Sequence, residues 1–142
     1  MTGEDFLTRG IKLKLKIKYL NEALEYWHTR ATSTSLIYNE IGRQKTNEIR
    51  SNEKYIFKII EIEDKIKKEL EKIYEIKLEI QEVISKVVDP VEQSILFKRY
   101  IEEKSWNEIA NSENYTKRYI FRKHNKAIEN VDKILKEVGY VV

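Results

Sequence analysis

Isoleucine recurs every seven residues along one stretch of this chain. Ile59, Ile66, Ile73 and Ile80, continued by Val87, mark one seam, Ile56, Leu70 and Ile84 mark its companion, and Ile62, Ile76 and Val83 widen the stripe. A seven-residue apolar repeat falls on one face of an α-helix and on neither face of a strand, so residues 56–88 are predicted to be helical. Those 33 residues would span on the order of 50 Å at the α-helical rise. A helix with so much isoleucine on one side requires a partner, and the candidate interface residues are Ile56, Ile59, Ile66, Leu70, Ile73, Ile80 and Ile84. The same spacing reads as core or dimer seam rather than as a cofactor site. Glu69, Lys72, Glu75 and Lys77 belong to the solvated face, and the carboxylates among them show no catalytic pairing.

The first part of the chain offers a matching stripe. The alternation of apolar and basic residues from Ile11 to Lys18 is a strand signature when read alone. Leu13, Ile17, Leu20, Leu24, Trp27 and Ala31 follow at spacings of 4, 3, 4, 3 and 4, which places them on one helical face. Residues 5–32 are therefore predicted to form one helix, paired with the isoleucine helix as an antiparallel hairpin or coiled coil. The unmatched length is then available to a second molecule. Residues 32–52, with Thr32, Ser33, Thr34, Ser35 and Gly42, read as a mobile connection. Within it Leu36, Ile37 and Ile41 could pack as a short helix, and its second half is a candidate start of the next one.

Composition supports an all-α fold and excludes most catalytic chemistry. Four glycines and one proline are too few for a sheet with tight turns, and 36% charged residues suits long exposed helices. There is no Gly-rich phosphate loop, and the absence of cysteine removes disulfides and thiolate metal sites. His28 and His124 have no paired-ligand spacing. No nucleophile, metal cluster or cofactor is expected, and the chain reads as a non-enzyme. The longest run free of Asp, Glu, Lys and Arg is nine residues, 31–39, against the roughly 20 apolar residues of a membrane span. Lys12, Lys14, Lys16 and Lys18 interrupt any signal-peptide core, and Thr2 stands where myristoylation needs glycine. The expected location is the cytoplasm, with no membrane partner.

Asp89, Pro90, Val91 and Glu92 end the isoleucine pattern. Proline fits the first position of a helix, Asp89 can cap the following amides, and Glu92 can reach back as in a capping box. A helix is predicted over residues 90–102, with a domain boundary between 88 and 89. Ser105 and Glu108 form a second capping box, and Thr116 caps a further helix after a turn that includes Asn114. The two caps lie 11 residues apart, the spacing of a helix-turn-helix.

The helix after Thr116 carries the functional signal. Ile120, Ala127, Ile128, Val131 and Leu135 form its buried side, whereas Lys117, Arg118, Arg122, Lys123 and Lys126 put five positive charges and no negative one between residues 117 and 126. The net charge of +3 is too small to indicate a nucleic-acid partner, but this local run is one-sided where the rest of the chain mixes signs. Phosphates attract such cations, and side chains of the first turns can reach base edges in the major groove. Trp106, Tyr100 and Tyr115 are expected to pack rather than to stack on bases, and His124 suits either a phosphate contact or packing.

The run Ile95 to Ile101, the run Lys104 to Ala110 with its Trp106-Asn107-Glu108-Ile109-Ala110 motif, and the basic segment from Tyr115 to His124 resemble small phage-encoded transcriptional regulators. These carry a helix-turn-helix like sigma-factor region 4, as in late-gene activators of the ArpU and RinA groups. The resemblance covers residues 89–138 well and the N-terminal helices more loosely. Asn114 stands where glycine is common, and Lys123 where the family often has an apolar residue. The resemblance implies regulation of phage or mobile-element genes by binding double-stranded DNA, with RNA polymerase as a further contact; the long apolar helix points to a homodimer, and another phage regulator is an alternative partner. Carried over position by position, Thr116 would cap the recognition helix (about 117–138) and approach phosphate. Lys117, Arg118, Phe121 and Arg122 would face the groove and Lys126 the backbone, while Ser105 and Glu108 would hold the supporting helix. Two competing readings are a coiled-coil protein that binds another regulator and a packaging subunit of the small-terminase kind.

Overall fold

A computed structural model describes residues 1–41 and 46–139, with the side-chain surroundings of 1–32 and 53–139. The fold class is all-α. Among the described residues six α-helices follow one another: α1 (Gly3–Leu7), α2 (Ile11–Ile41), α3 (Thr46–Ser85), α4 (Pro90–Leu96), α5 (Trp106–Glu113) and α6 (Lys117–Glu137). A π-helical turn, Phe97–Ile101, continues α4. Among the described residues there is no strand and no helix long and apolar enough to cross a membrane.

The predicted single helix over 5–32 is two helices. Thr2 caps α1, accepting from the Asp5 amide at 3.1 Å while the Asp5 carboxylate accepts from the Thr2 amide at 3.3 Å. At the other end the Thr8 hydroxyl donates to the Glu4 carbonyl at 2.8 Å, and the chain turns through Thr8, Arg9 and Gly10 before α2. The break lets Phe6 and Leu7 enter a core that a continuing helix would carry them past. The predicted mobile connection over 32–52 is helical up to Ile41 and again from Thr46. Its residues 42–45 lie outside the described ones, as do the side chains of Leu36, Ile37 and Ile41.

Two compact units result, and they divide elsewhere than at residue 89. One comprises Met1–Ile11 with the chain from Tyr74 onward; the other is Lys12–Ile73. In the first, Phe6 and Leu7 of α1, Ile80, Val83 and Ile84 of α3, Val87, Leu96 of α4, and Ala127, Val131, Ile134 and Leu135 of α6 form one buried cluster. A second cluster joins Ile95, Ile109, Ala110 and Ile120, flanked by Val91, Trp106 and Tyr119. Polar ties set the register of these helices. The Gly3 amide donates to the Asp132 carboxylate, and Arg9 pairs with Glu79 at 2.7 Å. Asp89 caps α4 through the amides of Val91 and Glu92 at 2.8 and 3.4 Å. Glu92 does not close the expected capping box. It is buried and accepts from the Asn130 amide group of α6 at 2.9 Å.

In the unit Lys12–Ile73, α2 and α3 run antiparallel, since Lys16 pairs with Glu69 at 3.0 Å while the Trp27 ring stacks on Tyr55 with centroids 5.7 Å apart. Leu20, Ile59, Ile62 and Ile73 are buried, and Ile66 is half-buried. The predicted interface set is therefore divided. Ile59, Ile66 and Ile73 are covered within this unit, Ile80 and Ile84 belong to the core of the other, and Ile56 and Leu70 are exposed.

Candidate nucleic-acid interface

Two helices and the turn between them carry the candidate interface. Ser105 caps α5, accepting from the Glu108 amide at 3.2 Å, and its hydroxyl also donates to the Glu108 carboxylate at 3.1 Å. Asn114 ends α5 in the left-handed region, at φ 59 and ψ 37, a conformation asparagine tolerates. Its amide and that of Tyr115 bond back to Asn111 and Ala110, which satisfies carbonyls that a helix end leaves open. Two residues later Thr116 caps α6, accepting from the Tyr119 amide at 3.2 Å. Ile109 and Ala110 of α5 meet Ile120 of α6 beneath this turn.

On α6 the apolar and basic residues separate by face. Ile120, Ala127, Val131, Ile134 and Leu135 are buried, while Lys117, Arg118, Phe121, Arg122 and Lys126 are exposed. At about 100° per residue, Arg118, Arg122 and Lys126 lie opposite the buried stripe. The five cations of the sequence are not equivalent. Lys123 is bonded to Asp89 at 2.9 Å, which lowers the Asp89 carboxyl pKa and raises that of Lys123, so this charge is committed to holding α6 against the start of α4. Lys126 lies 3.5 Å from Glu129, both well exposed, a pairing worth little in water. Lys117, Arg118 and Arg122 have no carboxylate partner among the described residues. The Arg122 guanidinium sits 5.4 Å from the centre of the Tyr119 ring.

The start of α6, like that of α2, has no carboxylate in its first turn. Helix N-termini carry partial positive charge and favour anions, and α1, α4 and α5 each place a carboxylate in the first turn. The first turn of α6 has none and begins with Lys117 and Arg118. Cation and helix end repel each other there, and a bound anion would relieve both.

Aromatic residues brace the basic face. Phe121 is 42% exposed and meets Trp106 edge to face, with ring centroids 5.1 Å apart. Arg99, which sequence reasoning missed, lies 4.5 Å from the Trp106 ring centre and donates to the Lys104 carbonyl at 3.1 Å. The π-helical turn offers no periodicity that would have revealed it. Lys98 pairs with Glu113 at 2.6 Å, and Glu113 also accepts from Ser94, so α5 is tied to the α4 segment. Tyr115 stacks on Tyr119 at 4.3 Å. His124 is resolved in favour of packing. It is half-buried, and Tyr100 lies 2.6 Å from Nε2. Desolvation, with the nearby Arg99 charge second, lowers its pKa to about 4, so the ring is neutral at pH 7. A neutral imidazole is not a phosphate cation.

Among the described residues no cluster of His, Asp or Glu could hold a metal ion. No family model matches this chain, and no curated protein or solved structure matches it either.

Proposed function

We propose that the chain is a non-enzymatic, sequence-specific DNA-binding transcriptional regulator that sets the first half of α6 in the major groove. The observation that carries this reading is the start of α6. Lys117, Arg118 and Arg122 are exposed, have no carboxylate partner among the described residues, and stand at a helix end that already favours anions. Thr116 caps the helix at the point where a phosphate would approach, and Phe121 presents an apolar edge suited to a thymine methyl group. Lys126, one turn further along, would contact the backbone after leaving Glu129. The α5–turn–α6 arrangement fits a groove-reading pair, in which α5 supports and α6 enters. The setting in phage or mobile-element genes, with RNA polymerase as a partner, rests on the sequence resemblance alone, while the cytoplasmic location and contact with another phage regulator are expectations from the sequence pattern. A homodimer would present two copies of α6 to a two-fold related site.

Selection of bound fragments from a random duplex pool, followed by titration at several salt concentrations, tests the proposal. Lys117→Ala and Arg122→Ala should each weaken binding while helicity stays at the parent value. The slope of log affinity against log salt should become shallower by about 0.9 for each phosphate contact removed. Both variants binding with parent affinity and parent salt slope would sink the assignment of α6.

A further inference from the structure

In the unit Lys12–Ile73, the face of α3 that flanks its buried stripe is not uniformly polar. Ile56, Ile60, Glu63, Lys67 and Leu70 follow at spacings of 4, 3, 4 and 3 residues, one continuous line along a helix. Ile56, Ile60 and Leu70 are 44%, 56% and 36% exposed. The neighbouring line, Ile59, Ile66 and Ile73, is the one covered inside the unit. Apolar side chains in a row on an exposed helix face mark a contact surface more often than solitary ones do.

The two charges in the line indicate what covers it. Lys67 has no hydrogen bond or ion pair with any described residue, and Glu63 has only His28 at 3.8 Å, which attracts it only when protonated. Turned end for end, the line complements itself, because positions 60 and 70 and positions 63 and 67 are both centred on residue 65. An antiparallel copy therefore sets isoleucine against leucine and glutamate against lysine. A parallel copy would set Glu63 against Glu63 and Lys67 against Lys67, and like charges across a helix seam oppose association.

We propose that a second copy of this chain docks on this line. The two α3 helices run antiparallel with the two-fold axis at the level of residue 65, between Glu63 and Lys67, Ile60 packs on Leu70 of the second copy, and Glu63 pairs with Lys67 of the second copy. Ile56 extends the apolar contact one turn beyond Ile60 at each end. Asp64 lies near the axis in both copies, where Lys68 of its own helix, 3.1 Å away, offsets its charge. The intermolecular seam is thus displaced by one residue from the isoleucine repeat, which the chain uses for itself. This places the homodimer interface of the proposed regulator, but it requires no DNA and is tested without it.

Sedimentation equilibrium of the full chain, with circular dichroism as a check on helicity, tests the interface. The parent should be a dimer. Glu63→Lys and Lys67→Glu should each raise the dimer dissociation constant by about tenfold or more, because each places like charges across the seam. An equimolar mixture of the two variants should recover the dimer, since one chain then offers two lysines where the other offers two glutamates. A monomeric parent, a dissociation constant that neither variant moves, or a mixture that stays as weak as its components would overturn the proposal. Failure of DNA binding would leave this result standing, and a monomer could still bind DNA through α6, so the two readings fail separately.

Discussion

The unit built around α4, α5 and α6 encloses a core of fully covered side chains, although Leu78 and Val88 stay 71% and 94% exposed, whereas the unit Lys12–Ile73 buries few apolar side chains on each helix and leaves others in solvent. Phe6, Leu96, Val131 and Leu135 in the first have essentially no exposed surface. In the second, Leu15, Tyr19 and Tyr26 on α2 and Ile56, Phe57 and Ile60 on α3 are all exposed. Helix geometry accounts for the difference. Several short helices can surround a core from many directions, but two long antiparallel helices cover only the strip where they touch. The first unit therefore has more fully covered apolar residues to lose, and the second has apolar side chains in rows along its helices still to cover.

The largest expected effect breaks this contrast at its centre. Leu96→Ala removes a fully buried side chain from the cluster that joins α1, α3, α4 and α6, and should cost about 2–5 kcal/mol by urea denaturation. Leu15→Ala removes the same atoms from a side chain that is 62% exposed, and should change stability by no more than about 0.5 kcal/mol. Equal costs would mean that the second unit has a core where it presents an open face.

A smaller effect isolates the contact between α1 and α6. A Cβ at Gly3 would lie 2.9 Å from the Asp132 carboxylate and 3.0 Å from the Ile128 carbonyl, and the carbonyl belongs to a helix backbone that cannot move freely. Gly3→Ala should cost about 1–3 kcal/mol, the usual range for overpacking, and should speed tryptic cleavage after Arg9. A variant as stable and as protected as the parent would show that α1 does not hold its place through this close approach.

What the sequence disclosed, and what it hid, follows the range of the interactions concerned. The caps at Asp89, Ser105 and Thr116 and the turn at Asn114 were legible because each is decided within a few residues. The isoleucine repeat disclosed a helix and its apolar face. It could not say which molecule covers that face, because periodicity is the same for a core, a hairpin and a dimer seam. Glu92 had the spacing of a capping box, but a buried carboxylate needs strong partners, and Asn130, 38 positions on, supplies them. The turn at Thr8, Arg9 and Gly10 was hidden because the helical spacing of Leu13 onward does not forbid a break before it; docking of Phe6 and Leu7 decides it. At the candidate interface the cations were legible as a run. That Lys123 is spent on Asp89 while Lys117, Arg118 and Arg122 remain available required the fold.

The remaining expected effect concerns His124, the point where the basic face meets the core. Its pKa is lowered from 6.5 to about 4, chiefly by desolvation, and burial raises that of Tyr100 to about 12. With the imidazole neutral and the phenol protonated, the Tyr100 hydroxyl can donate to Nε2 across their 2.6 Å separation. The unfolded chain takes up a proton at this histidine as pH falls through about 6.5, while the folded chain does so only near 4. The unfolded state then binds more protons, so stability is full above that window and declines as pH falls through it. The carboxyls of Asp89 and Glu113 are both lowered, from 3.8 and 4.5, so their contributions are lost at lower pH and leave the upper part of the window to histidine. The melting temperature should therefore begin to fall below pH 6.5, and His124→Gln, which keeps a hydrogen-bond acceptor but cannot titrate, should flatten the curve between pH 6.5 and 4.5. An identical decline in the variant would assign the loss to other groups. Because His124 stays neutral through that range, lowering the pH should add no phosphate contact from this residue, and acid should weaken the scaffold without strengthening the basic face through it.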